Sequence, residues 1–375
     1  MKSRCLDFCP SGAQTDAVST STPLRIGTRG SELALTQTTT VAESLAAASG
    51  RDVELVTIRT EGDRSTASLA SLGGTGVFAA ALREAVLAST CDVAVHSLKD
   101  LPTAPVTGLS IGALPARADH RDALCARDGL TLATLPAGAR VGTGSPRRAA
   151  QLRLARPDLE VVDIRGNVGT RLGRVGADLD AVVLAQAGLV RLGLLDHVTE
   201  TLEPDVMLSA PGQGALAVEC RTADLAGPLG ETLRTIDDPS TRLAVVAERT
   251  LLAALEAGCA APVAAWARVV PGTAAEPASL VLRAGAFDPA GRDARVRTAV
   301  VDLPGSPERS GAAADGVETV QGVGDSLAQD LGRTTALRLL DDGAAEIAGL
   351  PTAGGALAAA GQPDVPGVLD GDAGA

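Results

Sequence analysis

The 375-residue chain has no tyrosine, one tryptophan and three phenylalanines, so aromatics make up only 1% of it. Its core must therefore be built from Ala, Val and Leu. With few rings to stack on bases and a net charge of −12, non-specific nucleic-acid binding is disfavoured twice over. Histidine is nearly as scarce, with three in all. The six cysteines (Cys5, Cys9, Cys91, Cys125, Cys220 and Cys259) stand singly, without a CxxC pair. That spacing argues against a metal site and, in so long a chain, against a disulfide framework. No apolar run approaches the roughly 18 residues a membrane span needs. The first 22 residues are polar and lack the apolar stretch of a secretory signal. These absences predict a cytoplasmic protein that binds no metal, nucleic acid or membrane.

Lysine is scarce too. Of 33 basic residues only Lys2 and Lys99 are lysines. A genomic bias toward arginine is the plain explanation, yet Lys99 is then the only lysine in the folded body. Residues 1–22 and 350–375 are rich in small and polar residues without periodicity, and read as disordered extensions.

Between these ends, strand-like runs near 24–27, 53–60, 92–96, 140–143, 159–164, 181–185 and 215–220 alternate with helical segments. The helical segments include 32–48, 77–88, 146–155 and 242–257. Such alternation predicts α/β structure with largely parallel sheets. Ser145 followed by Pro146 is a helix-start signal, a capping hydroxyl before a residue that needs no amide donor. Segments 112–118 and 210–214 read as two crossings between similar α/β lobes, the layout of a two-lobed ligand clamp. The expected division is a first lobe from 23–114 plus 215–236 and a second from 115–214. A small α+β domain over 237–349 would follow, with strands near 281–287 and 294–301 and a helix near 326–340.

In open α/β sheets, ligands bind beyond the carboxyl ends of the strands. Five such ends lead to basic residues: Arg29, Lys99, the pair Arg147-Arg148, Arg165 with Arg171, and Arg191. An acidic protein thus collects positive charge in its inferred cleft. The planar fork of arginine suits carboxylates and phosphates. No GxxxxGK[ST] sequence is present, so several carboxylates fit better than one triphosphate. Taken singly, Lys99-Asp100 could be a local ion pair, and the arginines a solvated face. Cys259 in LEAGCAAP could be a buried filler, a ligand, a nucleophile or an attachment point.

In series, the motifs LRIGTRGSELALTQ, AVHSLKDLPT, VGTGSPRRAAQL, IRGNVGTRL, LAQAGLVRLGL, PGQGALAVECR and LEAGCAAPVA resemble the porphobilinogen deaminase family over about residues 24–345. The resemblance implies a periplasmic-binding-protein-like clamp of two lobes joined by two hinge crossings, plus a small C-terminal α+β domain. It implies a monomeric transferase of tetrapyrrole biosynthesis that condenses four porphobilinogen units head-to-tail with loss of ammonia. The product is released by hydrolysis as hydroxymethylbilane. A dipyrromethane cofactor would be attached to Cys259 by a thioether, a bond a lone ionised thiol suits well. Asp100 would be the catalytic carboxylate. Lys99, Asp100, Thr143, Ser145, Arg147 and Arg148 would hold the cofactor, and Phe78 would lie near its rings. Arg29, Ser31, Arg165, Gly166, Arg171, Arg191 and Gln213 would bind substrate.

The chain departs from the family pattern at four places. Thr75 replaces a basic residue in GGTGVF, and the loop after Asp63 is one residue short and lacks an acid. Gly144 stands for a usual Ser, and Ala257 for a usual Gly. A non-enzymatic two-lobed carboxylate binder is the competing reading, because it too explains the arginines.

Overall fold

The computed structural model describes residues 22–59, 77–258, 261–273, 275–304, 320–351 and 369–370. Three sheets organise them. The first lobe contains β1 (Leu24–Arg29), β2 (Val53–Ile58), β3 (Val93–Ser97), β4 (Leu109–Ala113) and β10 (Leu216–Arg221), in the order β2-β1-β3-β10-β4. The second contains β5 (Asp122–Ala126), β6 (Arg140–Gly142), β7 (Glu160–Val162), β8 (Ala181–Ala185) and β9 (Glu200–Leu202), in the order β7-β6-β8-β5-β9. The two orders are the same pattern repeated. In each, a parallel trio is followed by a strand that has just crossed from the other lobe.

That crossing strand corrects the expectation of largely parallel sheets. β10 runs antiparallel to β3 and β4, and β5 runs antiparallel to β8 and β9. A strand entering from the other lobe arrives from the opposite end of the sheet, so its direction is reversed. Strands β4, β5 and β9 escaped the sequence reading, as did the strand Val263–Val270; β9 has three residues, and β4 and β5 lack β-branched runs. Helix α6 (Pro228–Ile236) escaped it too.

The helices explain themselves locally. Helix α1 (Glu32–Ser49) starts at Ser31, whose hydroxyl accepts from the Ala34 amide, and stops at Gly50 in the left-handed region (φ 65°). Helix α2 covers Val77–Leu87. Helix α3 (Pro146–Ala155) starts as its sequence predicts, on Ser145 with Pro146 in its first turn. Helices α4 (Val168–Leu172) and α5 (Gln186–Arg191) follow β7 and β8. Helix α7 (Pro239–Ala254) is capped by Asp238, which accepts from Thr241 N at 2.7 Å. It begins three residues before the expected start at Arg242, because Pro239 is a first-turn residue rather than a break.

The third unit packs α7 and α8 (Val320–Asp341) on an antiparallel sheet of β11 (Val263–Val270), β12 (Ser279–Phe287) and β13 (Ala294–Asp302). Two parts of the presumed C-terminal tail join it. Leu350 is buried in its core, after α9 (Ala344–Ala348), and Leu369–Asp370 pairs with β13. As the composition requires, the cores are aliphatic, and Phe287 is the one aromatic among the described buried hydrophobics.

Candidate active site

Several of the strand-end residues, Lys99, Asp100, Arg147, Arg148, Arg165 and Arg171, come together between the lobes. Strand β3, buried along four of its five residues, delivers a short turn, Leu98–Asp100, with Leu98 buried and Asp100 exposed. Burial pulls the Lys99 ammonium below its usual range, and the nearby Arg148 and Arg147 cations pull the same way against Asp100 and Asp122. Burial likewise lowers Arg171, with Arg148 and Arg165 adding to the effect and Asp100 opposing it. The Lys99-Asp100 turn of the first lobe and the arginines of the second thus feel each other's charge across the cleft. A small cavity of about 30 Å³ beside this turn is lined by Arg29, Gln37, His96, Ser97 and Asp100, among others. A larger cavity of about 430 Å³, by Cys125, Leu172 and His197, includes none of the predicted site residues. Charge, not volume, marks the site.

Arg147 and Arg148 are not surface residues but are 3% and 5% exposed. Both bind Asp122, which has no exposure: Arg147 Nη2 donates at 2.8 Å, and Arg148 donates from Nε at 3.0 Å and Nη2 at 2.7 Å. Arg147 also donates to the Leu208 carbonyl, and Arg148 to that of Val183. Burial alone would raise the Asp122 carboxyl, but the two guanidiniums hold it well below the usual range. Each arginine has five N–H donors, so donors remain on both. Asp122 was missed from sequence, although an acid opening an apolar strand in a chain with Arg147-Arg148 is a usable signal.

Thr143 is buried, its amide bonds the Val162 carbonyl, and its hydroxyl accepts from Ser145 N. Gly144 has a steric reason: a Cβ there would sit 2.5 Å from the Ile164 carbonyl oxygen. Arg165 lies beside Asp163, and its Nε is buried without a hydrogen-bond partner among the described residues. Gly166 adopts φ 107°, and its carbonyl accepts from Arg171 Nε at 2.8 Å. Arg29 closes β1, and Ser31 is engaged as the α1 cap. Arg191, at the end of α5, donates to the Gly214 carbonyl at 2.9 Å. Gln213 is 1% exposed, donating to Asp122 and to the His120 carbonyl. Cys259, Thr75 and Asp63 lie outside the described residues, as does the side chain of Phe78. Ala261 N donates to the Gly258 carbonyl.

The two crossings meet the third unit at an aromatic contact. His120 stacks on Trp266 with centroids 4.3 Å apart, and its Nδ1 lies 2.6 Å from Ser209 Oγ. Burial, reinforced by Arg117, lowers the His120 pKa to about 4. Because the unfolded value is near 6.5, the unfolded chain takes up this proton first, and stability is lost as pH falls from about 6.5 toward 4. Trp266 is the only tryptophan. Its emission should therefore be quenched by the stacked imidazolium with a midpoint near pH 4. An identical titration in His120→Asn protein would assign the change to another group.

Residues 24–226 match the family model described as porphobilinogen deaminase, dipyromethane cofactor binding domain, and residues 242–318 match that of its C-terminal domain. The chain belongs to the porphobilinogen deaminase family. It is 61% identical to the Micrococcus luteus porphobilinogen deaminase over 68% of this chain and 76% of that one. It is 54% identical to the Cutibacterium acnes enzyme over 88% of this chain and 98% of that one. Among solved structures, it is similar to the methionine-binding protein MetQ, with 13% identity and a TM-score of 0.37 over 57% of this chain and 89% of that chain. The fold is two similar α/β lobes with a small C-terminal domain. As a member of this family the protein is an enzyme, a transferase of porphyrin biosynthesis with a dipyrromethane cofactor. The non-enzymatic binder is not favoured. Among the described residues no helix is long and apolar enough to cross a membrane.

Proposed function

We propose that the cleft holds the dipyrromethane cofactor and the porphobilinogen units added to it, with Asp100 as the reacting carboxylate. The observation that carries this is a gathering of cations: Lys99 feels Arg147 and Arg148, and Arg171 feels Arg148 and Arg165, around the carboxylates of Asp100, Asp122 and Asp163. Each substrate pyrrole bears an acetate and a propionate, so these cations match the ligand's charge. The Nε atoms of Arg147 and Arg165, buried without a hydrogen-bond partner among the described residues, fit the same need, with Arg165 Nε also 3.9 Å from an Asp163 carboxylate oxygen. The cofactor, when bound, supplies the terminal pyrrole to which substrate units are joined. Lys99, Thr143, Ser145, Arg147 and Arg148 would hold its carboxylates and Cys259 its thioether. Arg29, Ser31, Arg165, Gly166, Arg171, Arg191 and Gln213 would bind substrate and lengthening chain. The Asp100 carboxylate accepts pyrrole N–H groups and offsets the positive charge that develops on the substrate ring as ammonia leaves.

The division we read is lobes of 23–114 plus 215–236 and 115–214, and a third domain from 237 to 349 to which Leu350 and Leu369–Asp370 are added. A cytoplasmic monomer that binds no nucleic acid completes the reading. The experiment is intact mass with peptide mapping. Purified protein should carry a two-pyrrole adduct on Cys259 and no other cysteine, and Cys259→Ala should fold without adduct or activity. Active protein with a free Cys259 would sink the assignment.

A further inference from the structure

The turn that presents Asp100 is held from outside its own lobe. Helix α7 of the third unit carries Glu248, with no exposure, and beside it Arg249. Arg249 donates to the carbonyls of Leu101 at 2.8 Å and Pro102 at 2.7 Å, the two residues immediately after Asp100. Glu248 takes four hydrogen bonds: from Arg117 Nη1 at 2.6 Å and Nη2 at 3.1 Å, from Gly212 N at 2.6 Å and from Ala267 N at 2.7 Å. Arg117 lies on the first crossing and Gly212 on the second.

Gly212 leads straight back to the same turn. A Cβ on it would meet Leu98 Cγ at 3.0 Å and the Lys99 amide at 3.3 Å, and Leu98 N donates to the Ala215 carbonyl. Leu98, Leu101 and Ala215 also share a hydrophobic cluster with Val245 of α7. The backbone on either side of Asp100 therefore rests on α7, through Gly212 and Ala215 before it and through Arg249 after it. Arg117 Nε further donates to the Gln213 carbonyl at 2.8 Å, and the Gln213 side chain reaches Asp122.

We propose that Glu248 and Arg249 are positioning residues for Asp100, so that the third domain sets the placement of the reacting carboxylate. They touch no substrate, and this proposal rests on Asp100 acting as described above. A carboxylate placed to meet developing charge loses effect steeply with small displacements, of the order of a hundredfold per ångström in unfavourable cases. Removing the Arg249 donors frees the Leu101–Pro102 carbonyls and lets the turn shift without touching the charge of Asp100.

The test uses full-length protein whose adduct is confirmed by intact mass. Arg249→Met should slow single-turnover ammonia release from porphobilinogen at least about tenfold, with KM within about threefold. Arg249→Lys should recover most of the rate. In an Asp100→Asn background the same change should cost less than about twofold, because a residue acting through Asp100 has nothing left to act on. Without substrate, amide exchange at Leu98 and Leu101 should quicken in Arg249→Met while that of Ile26 and Val141 stays unchanged. Should Arg249→Met not fold, Glu248→Gln enters the same cycle with the same expectations. Equal losses in both backgrounds, or a lower Tm with normal turnover, would overturn the proposal. Absence of ammonia release by the unmutated protein would instead count against the activity, leaving the exchange result to judge the positioning.

Discussion

Asp100→Asn protein is expected to release ammonia at least about a hundredfold more slowly than wild type in a single turnover, roughly 3 kcal/mol of barrier. The side chain stands exposed at the end of the short turn after β3, facing the second lobe's arginines. Leu98 and Leu101, buried on either side, anchor the turn, so the fold does not depend on the carboxylate. Asn keeps an acceptor in nearly the same place and removes only the charge. Ground-state hydrogen bonding should survive, while the offset of positive charge that develops as ammonia departs should not. Asp100→Glu should retain part of the rate, because the charge remains but is displaced by one methylene. The measurement must use protein whose adduct mass is already in place, since otherwise a defect in loading would mimic a defect in chemistry. Near-normal release by the Asn protein would return Asp100 to a plain ion pair with Lys99.

The parts of this site that were legible in sequence are those set by local rules. Ser31 and Ser145 precede helices and cap them, and the cationic residues follow strand ends because open sheets gather ligands there. What sequence hid is the pairing of distant residues. Asp122 lies 25 positions before Arg147, and nothing local says that one carboxylate holds two guanidiniums. The same holds for Glu248, whose bonds reach Arg117 and Gly212 from another unit. A partial signal was present. Thr241, Ala244, Val245, Glu248 and Leu251 form one buried stripe of α7, and an acid inside such a stripe requires partners. Strand direction was hidden for a related reason, since a crossing strand reads like any other apolar run. The antiparallel insertions β5 and β10 follow only from which lobe the chain comes from.

Asp122→Ala should cost about 3–5 kcal/mol of stability, because it leaves two buried guanidiniums without their counter-charge. Gln213 would lose a partner at the same stroke. Asp122 is held below its usual pKa in the folded state, so its contribution is present above the unfolded value of 3.8 and lost as pH falls below it. Wild type should accordingly lose stability on the acid side of about pH 4, by a margin the Ala variant lacks. Purified Asp122→Ala protein should also carry no adduct, since Arg147 and Arg148 would no longer be aligned to hold the cofactor's carboxylates. Stability and loading are separated by replacing the whole group with Asp122→Leu, Arg147→Met and Arg148→Leu together. Apolar replacement of a buried ion group is often neutral or stabilising, so urea unfolding of the triple variant should return toward wild type. Its intact mass should still show no adduct. A triple variant that is stable and fully loaded would reduce both arginines to scaffold, and the cofactor's carboxylates would then have to be held by Lys99, Arg165 and Arg171.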